Sequence, residues 1–407
     1  MHCKLYAMKN SKENHDERNW YARVGTDTFK FSQFPVGDNE FRTKIIRWSY
    51  QNIVNDHSKD FANGIPKYDG FIYEPDNIGL KKEIGDYLNE YSCLSHIPKE
   101  GDVTITLEFL KHIFGEQMEL GLDYLQIMYL DPKHFLPVLC LVSKERNTGK
   151  STFGKWIKDI YEDNALFIGV RDLASQFNGD WLNNLVLIID ETMISLQQVV
   201  ETMKFLSTSY KAQSESKNKD RKSVNFYGKF IPISNHETTF IKIDQDETRF
   251  WVRKIPVLKE DDVNILKHLK KEIPHFLHYL THRKLSTTRV GRMHFDPKEL
   301  ETQALVNLKR ASRHPKLIEL ELFLIDLMDE LGRDQLQFTL GDLYTITKEE
   351  IGETKSSLKD ILLNHFNILP LQNSSNYDKI IKDPIGDFAT IRKKGKFYTL
   401  NRKLVDK

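Results

Sequence analysis

A short polar segment carries the residues best suited to bind phosphate. Residues 143–152 have the sequence Ser-Lys-Glu-Arg-Asn-Thr-Gly-Lys-Ser-Thr and directly follow the apolar run at residues 135–142. A strand, a tight loop and the beginning of a helix together form a nest of backbone N–H groups that binds anions. In such a loop the lysine contacts the outer phosphates of a nucleotide, and the next hydroxyl ligates Mg²⁺. The sequence therefore predicts a site for ATP and Mg²⁺, with Ser151 as a metal ligand, formed by Asn147, Thr148, Gly149, Lys150, Ser151 and Thr152.

This loop departs from the common pattern G-x-x-x-x-G-K-[ST] at its first position, which holds Lys144. Asn147 offsets part of the departure, because asparagine adopts a positive φ more easily than most residues. The alternative is an ordinary turn before a helix. Separately, Lys144 and the single Gly149 leave open a loop that has lost its affinity for nucleotides.

Two carboxylates follow the apolar run at residues 185–189. Such a run is typical of a central parallel strand, and open α/β sheets bind ligands at the carboxyl ends of their strands. We expect Asp190 to hold Mg²⁺ through water and Glu191 to polarise the attacking water. The alternative is a buried strand that simply ends in solvent.

Two later segments supply an amide and two arginines. Asn235 follows the apolar run at residues 230–233 and is a candidate to orient water beside the γ-phosphate, although a plain Ser-Asn turn is the alternative. An arginine offered to the nucleotide of a neighbouring subunit stabilises the charge of the transition state. Arg249 is the first candidate for that role and Arg253 the second, with a surface salt bridge as the alternative for each.

These four segments, in this order and spacing, resemble the superfamily 3 helicases. The most similar members are the primase-associated helicases of phages, plasmids and large DNA viruses, which belong to the ring-forming AAA+ ATPases. The resemblance covers residues 135–256 closely. It implies an ATP- and Mg²⁺-dependent replicative DNA helicase of a phage or mobile element, which forms a ring, expected to be a hexamer, and translocates on single-stranded DNA. The implied partners are single-stranded or forked DNA, further copies of the chain and a separate primase or polymerase.

The resemblance also implies a basic hairpin in the central channel of the ring, on single-stranded DNA. The stretch between the acidic strand and Asn235 is rich in cations and fits this element, although a solvated charged loop is the alternative. The candidate DNA contacts are Lys204, Lys211, Lys217, Lys219, Arg221 and Lys222. Two other function classes stay open, namely a ring-forming ATPase that loads or remodels DNA without unwinding it, and a non-catalytic DNA-binding scaffold.

The surrounding elements predict an α/β chain with an AAA+ P-loop ATPase core. We expect a small α/β segment at residues 1–75 with a helix over residues 40–55, a helical domain of oligomerisation type at 76–131, the ATPase domain with a mostly parallel sheet at 132–285, a linker at 286–314 and a winged-helix-like domain at 315–407. In the last domain a basic stretch predicts a DNA-binding wing, although a helical packing domain with a basic tail is the alternative. The wing residues are Arg392, Lys393, Lys394 and Lys396.

Composition narrows the function classes further. The 407 residues carry a formal net charge of +1, which excludes a uniformly basic protein that coats DNA. No apolar run approaches the ~20 residues of a membrane helix, and the first residues lack the apolar core of a signal peptide. Three cysteines without a CxxC pair favour a reducing interior. We therefore expect no membrane partner and a location in the cytoplasm of a bacterial cell or a phage-infected host.

Overall fold

The computed structural model describes residues 19–37, 40–175, 178–190, 194, 197–215, 222–258, 262–312, 315–348, 351–382 and 388–405. The chain divides into two compact units between Arg310 and Ala311, and each unit is described by itself. No helix within the described ranges is both long and apolar enough to cross a membrane.

The first unit begins with two small sheets. Its first elements are β1 (Asn19–Val24), β2 (Asp27–Gly37), β3 (Glu40–Arg47), α1 (Tyr50–Asp56), α2 (Lys59–Gly64), β4 (Lys67–Tyr68), β5 (Gly70–Ile72), β6 (Glu83–Ile84) and β7 (Tyr87–Asn89). One sheet has the order β3-β2-β1-β4 and the other β5-β7-β6. The helix predicted over residues 40–55 is wrong in its first half, since β3 pairs there with β2. The helical prediction for residues 76–131 is likewise wrong before Thr104, because β6 and β7 lie in that stretch.

The larger part of the first unit is built around a five-stranded parallel sheet. Its elements are α3 (Thr104–Phe114), α4 (Met118–Leu130), β8 (Val138–Val142), α5 (Lys150–Tyr161), β9 (Ala165–Phe167), α6 (Val170–Ala174), β10 (Val186–Ile189), α7 (Gln197–Leu206), β11 (Lys211–Ser214), β12 (Lys222–Asn225), β13 (Lys229–Ser234), β14 (Phe250–Lys254), α8 (Ile265–His282) and α9 (Gln303–Ser312). Leu305 and Leu308 of α9 are buried in the core, so that part of the predicted linker at 286–314 is a packed helix.

Five parallel strands form this sheet, in the order β14-β8-β13-β10-β9. Every residue of β8, β10 and β13 is buried, because apolar side chains cover both faces of the sheet. Trp156 of α5 belongs to the core on one face, and Met203 of α7 belongs to the core on the other. The predicted α/β chain with a parallel sheet is confirmed. Parallel pairing places the carboxyl ends of the strands at one edge, where the predicted nucleotide site begins.

The second unit has its own core. Its elements are α10 (Pro315–Glu330), β15 (Gln335–Phe338), α11 (Leu340–Thr347), α12 (Lys355–Asp360), β16 (Ser375–Lys382), β17 (Phe388–Gly395), β18 (Tyr398–Asn401) and α13 (Arg402–Val405). A π-helical turn at Ile361–His365 continues α12. β15 pairs with β18, and β16 pairs with β17, both antiparallel. Leu324, Phe338 and Leu358 are fully buried and join α10, β15 and α12 in one core.

Candidate nucleotide-binding site

The loop after β8 has the backbone that the sequence predicted at its critical positions. Gly149 caps the beginning of α5 with φ of 81°, and Asn147 has φ of 52°. Both values lie in the left-handed region, so the positive φ expected at Asn147 is confirmed. Lys144 has no positive φ, and its backbone N–H donates to Glu237 Oε1 at 3.1 Å. The first position of the pattern therefore needs no glycine in this loop.

Lys150 occupies the centre of the loop. Its Nζ donates to the carbonyl oxygens of Ser143 and Glu145 at 3.2 and 3.4 Å and to Thr148 Oγ1 at 3.0 Å. The residue is only 4% exposed. Burial lowers the pKa of Lys150, although the Asp190 carboxylate acts in the opposite direction. The ammonium group thus bonds the loop's own acceptors, in the place where the P-loop lysine meets phosphate oxygens.

A hydroxyl and a carboxylate meet beside this lysine. Ser151 Oγ lies 3.4 Å from Asp190 Oδ1, although β13 separates β8 from β10 in the sheet. The two side chains meet because Ser151 stands in the first turn of α5 and Asp190 follows β10 at the same edge. Magnesium in nucleotide sites takes one or two protein oxygen ligands together with phosphate and water. The pair fits a metal ion that arrives with a nucleotide. Glu191 lies outside the described residues, so its role stays a prediction.

The strand between them contributes further polar groups. Asn235 directly follows β13 and is exposed at the same edge as the loop, which is compatible with its predicted role. Glu237, which sequence reasoning missed, lies two residues further along. Its Oε2 is 3.0 Å from Lys254 Nζ. Burial raises the pKa of Glu237, but hydrogen bonds from the Lys144 N–H and from Lys254 hold it below its ordinary value. An acid shortly after a strand that ends at this edge was the signal available in the sequence.

The two candidate arginines have different environments. Arg253 lies within β14 with a side chain only 7% exposed, and its Nη1 donates to Glu116 Oε1 at 2.7 Å and to Gln117 Oε1 at 2.8 Å. The prediction that Arg253 reaches a neighbouring subunit does not fit, because these contacts hold it inside its own chain. Arg249 directly precedes β14, and its side chain is 35% exposed.

Arg249 lies at the edge of the sheet opposite the loop. β14 runs parallel to β8, and Phe250 is paired with Val138 at the beginning of both strands. At about 3.3 Å per residue, the strand separates Arg249 from the carboxyl edge by roughly 16 Å. Arg249 is therefore remote from Lys150 of its own chain.

The predicted basic hairpin is only partly described. Lys211 and Lys222 are exposed on β11 and β12, which form an antiparallel pair. Lys217, Lys219 and Arg221 lie outside the described residues, so their DNA contacts stay predictions.

Lys204 does not belong to this hairpin. It lies in α7, its side chain is 4% exposed, and its Nζ pairs with Asp244 at 2.7 Å, Glu201 at 2.9 Å and Glu247 at 3.6 Å. A DNA contact by Lys204 does not fit this arrangement, because three carboxylates already surround its buried ammonium group.

In the second unit the predicted wing residues are all exposed. Arg392, Lys393 and Lys394 lie on β17, and Lys396 follows it. Arg392 Nη1 donates to Asp378 Oδ1 at 2.9 Å across the β16–β17 pair. Within the first unit the structure thus brings together the loop and Asp190, with Asn235 at the same edge of the sheet, whereas Arg249 lies at the opposite edge.

Comparison with known families gives a match over this part of the chain. The model of a family of unknown function (DUF5906) matches residues 141–253. The matched segment extends from β8 into β14 and so includes the loop, Asp190, Asn235 and Arg249. No curated protein matches the chain.

Solved structures of similar fold come from the NrS-1 C-terminal region. One apo structure has a TM-score of 0.62 and 17% sequence identity, and the alignment covers 92% of this chain and 95% of that one. An A-form apo structure of the same region has a TM-score of 0.58 and 16% identity, with 92% and 96% covered. The chain therefore has the fold of the NrS-1 C-terminal region over most of its length.

Proposed function

We propose that the chain is an ATP-dependent replicative DNA helicase of the superfamily 3 type, whose subunits assemble into a ring, expected to be a hexamer. The observation that carries the proposal is the 3.4 Å approach of Ser151 to Asp190 beside the ammonium group of Lys150. A lysine, a hydroxyl and a carboxylate at one edge of a parallel sheet are the parts that P-loop ATPases use on a nucleotide and its metal.

Each side chain has a proposed task at this edge. Lys150 exchanges its loop acceptors for phosphate oxygens, and Ser151 and Asp190 hold Mg²⁺. When bound, Mg²⁺ supplies positive charge that neutralises the phosphates. Asn235 orients the attacking water, and Glu191 polarises it.

The proposed DNA contacts lie on two surfaces. Lys211 and Lys222 are the described members of a hairpin that tracks single-stranded DNA through the ring. The second unit has the element order helix, strand, helix, helix and hairpin, which supports a winged-helix domain with Arg392, Lys393, Lys394 and Lys396 on its wing. A separate primase or polymerase is the expected replication partner. The expected location of the chain is the cytoplasm of a bacterial cell or a phage-infected host.

The proposal is tested by ATP turnover and strand displacement on a forked duplex. Lys150→Ala should abolish both, because the phosphate contact is lost. Lys155→Ala is the matched control, since Lys155 is an exposed lysine of the same helix. It should hydrolyse ATP and unwind the fork at the parent rate.

Three results would contradict this function. ATP hydrolysis with a fork that stays paired would identify a loading or remodelling ATPase. An absence of saturable binding of a fluorescent ATP analogue with Mg²⁺ would identify a scaffold. Parent-rate hydrolysis by Lys150→Ala would mean that this loop is not the nucleotide site.

A further inference from the structure

A buried carboxylate holds the guanidinium group of Arg249. The side chain of Glu247 is 1% exposed. Its Oε1 accepts hydrogen bonds from Arg249 Nε at 2.7 Å and from the backbone N–H groups of Thr248 and Arg249 at 3.0 and 2.9 Å. Its Oε2 accepts from Arg249 Nη2 at 2.9 Å. The carboxylate and the guanidinium therefore form a bidentate pair, which fixes the plane of the arginine as well as its position.

This pairing uses only one edge of the guanidinium group. The Nε and Nη2 edge faces Glu247, while Nη1 has, among the residues that the structure describes, one long contact of 3.4 Å to the carbonyl oxygen of Lys204. The Arg249 side chain is still 35% exposed. The edge that carries Nη1 is therefore the one that could meet a phosphate. An arginine whose other edge is already fixed loses little further rotamer entropy when that phosphate binds.

Glu247 has a second partner that does not depend on Arg249. Lys204 Nζ lies 3.6 Å from Glu247 Oε2, and its side chain is 4% exposed. A buried carboxylate that loses every cationic partner strongly destabilises the fold. Lys204 therefore leaves one buried cation beside the Glu247 carboxylate when Arg249 is replaced.

The position of the pair points to another copy of the chain. Arg249 precedes β14, which is an edge strand of the five-stranded sheet, and lies at the edge opposite its own nucleotide loop. An arginine that is partly exposed at this edge and held rigid suits a phosphate bound by a neighbouring subunit.

We infer that Glu247 is a positioning residue, which aims Arg249 at the γ-phosphate of the nucleotide bound by the neighbouring subunit. The inference rests on the proposed function, since Arg249 meets a nucleotide only when subunits assemble. Lys204 supports Glu247 from within the subunit.

The first test compares Glu247→Gln with Arg249→Ala. A glutamine keeps an oxygen for the backbone N–H groups but removes the charge and the acceptor for Nη2. Glu247→Gln should bind ATP with the parent affinity and turn it over at least about tenfold more slowly, because a misplaced catalytic group loses much of its effect. Arg249→Ala should be slower still, by a factor on the order of 10³. Asp244→Asn is the control, because Asp244 is an exposed partner of Lys204 that has no bond to Arg249.

Mixing experiments separate a positioning role from a structural one. A Glu247→Gln subunit keeps an intact Lys150 loop, and a Lys150→Ala subunit keeps an intact Glu247–Arg249 pair. In equal mixtures about a quarter of the interfaces combine both intact halves, and ATP turnover should recover accordingly. Mixtures of Glu247→Gln with Arg249→Ala should recover nothing, because both variants are defective on the same side of the interface.

The outcomes distinguish the inference from the proposed function. Parent turnover by Glu247→Gln, with Arg249→Ala slow, would overturn the inference and leave the helicase proposal intact. Recovery of Glu247→Gln by Arg249→Ala, but not by Lys150→Ala, would also overturn it, since Glu247 would then act on its own subunit's nucleotide. Parent turnover by Arg249→Ala would likewise overturn the inference and leave the helicase proposal intact, because Arg249 would then take no part in hydrolysis. If Glu247→Gln does not fold, Glu247→Asp keeps the charge and draws the guanidinium back. It should bind ATP normally, complement Lys150→Ala and hydrolyse ATP slowly, and parent turnover by this variant would overturn the inference.

Discussion

Replacement of Gly149 by alanine tests whether the backbone of the loop, and not only its side chains, forms the nucleotide site. Gly149 has φ of 81°, and a Cβ atom built on it would lie 3.0 Å from Cε2 of Phe109. Phe109 is 4% exposed and belongs to the core beside the sheet. The new methyl group therefore meets two penalties, one from the backbone conformation and one from packing.

The two penalties have different sizes and can be separated. A left-handed backbone costs an L-residue roughly 1–2 kcal/mol. Overpacking against a well-packed side chain adds about 1–3 kcal/mol. Gly85→Ala is the matched control, because Gly85 has φ of 57° and no atom within 4 Å of its Cβ position. Gly149→Ala should therefore lower the free energy of unfolding by about 2–5 kcal/mol, whereas Gly85→Ala should lower it by the backbone penalty alone.

Denaturant unfolding and titration with a fluorescent ATP analogue give the two readouts. We expect the loop to relieve its strain by moving, which displaces the backbone N–H groups. ATP affinity should then fall at least tenfold, which corresponds to about 1.4 kcal/mol of binding free energy. Equal destabilisation by Gly149→Ala and Gly85→Ala would refute the role of Phe109. Parent affinity for ATP in Gly149→Ala would refute the conclusion that this backbone conformation binds the phosphates.

Two further predictions concern a buried lysine and the DNA track. Burial lowers the pKa of Lys229 to about 7 from 10.5 in an unfolded chain, so between these values the unfolded chain binds more protons and stability rises with pH, by up to about 1.4 kcal/mol per pH unit. Unfolding of Lys229→Met measured from about pH 7 to pH 9.5 should lack this slope, and a slope equal to that of the parent would assign it to other groups. Replacing both Lys211 and Lys222 by alanine removes up to two phosphate contacts, which should flatten the log–log salt slope of single-strand binding by up to about 1.4 and leave ATP binding unchanged. An unchanged slope would place the DNA track elsewhere.

The parallel sheet was predictable because its strands are buried on both faces. β8, β10 and β13 appear in the sequence as continuous apolar runs, and polar residues follow each run at the same edge. The loop after β8 was recognisable because a buried apolar strand precedes it and a helical pattern follows it. Local sequence was therefore sufficient to predict the buried strands and the loop between β8 and α5.

The errors lie where tertiary pairing decides the structure. Residues 40–47 contain helix-compatible side chains, yet they pair with β2 and form a strand. Arg253 and Lys204 look like exposed cations in the sequence, but Glu116 reaches Arg253, and Asp244 reaches Lys204, from distant parts of the chain, while only Glu201 lies near Lys204 in sequence. Partners so far apart in sequence leave no local pattern, so the burial of these charges was not predictable.

The hydrogen bond between the Lys144 N–H and Glu237 also affects how related loops are found in other genomes. A pattern search requires the letter G at this position, although the loop itself requires only an ordinary φ and an acceptor for one N–H group. Here the acceptor comes from a different strand end, more than ninety residues along the chain. A search that scores the positions of Lys144 and Glu237 together would retain chains with this hydrogen bond. A search that uses the loop alone would discard them.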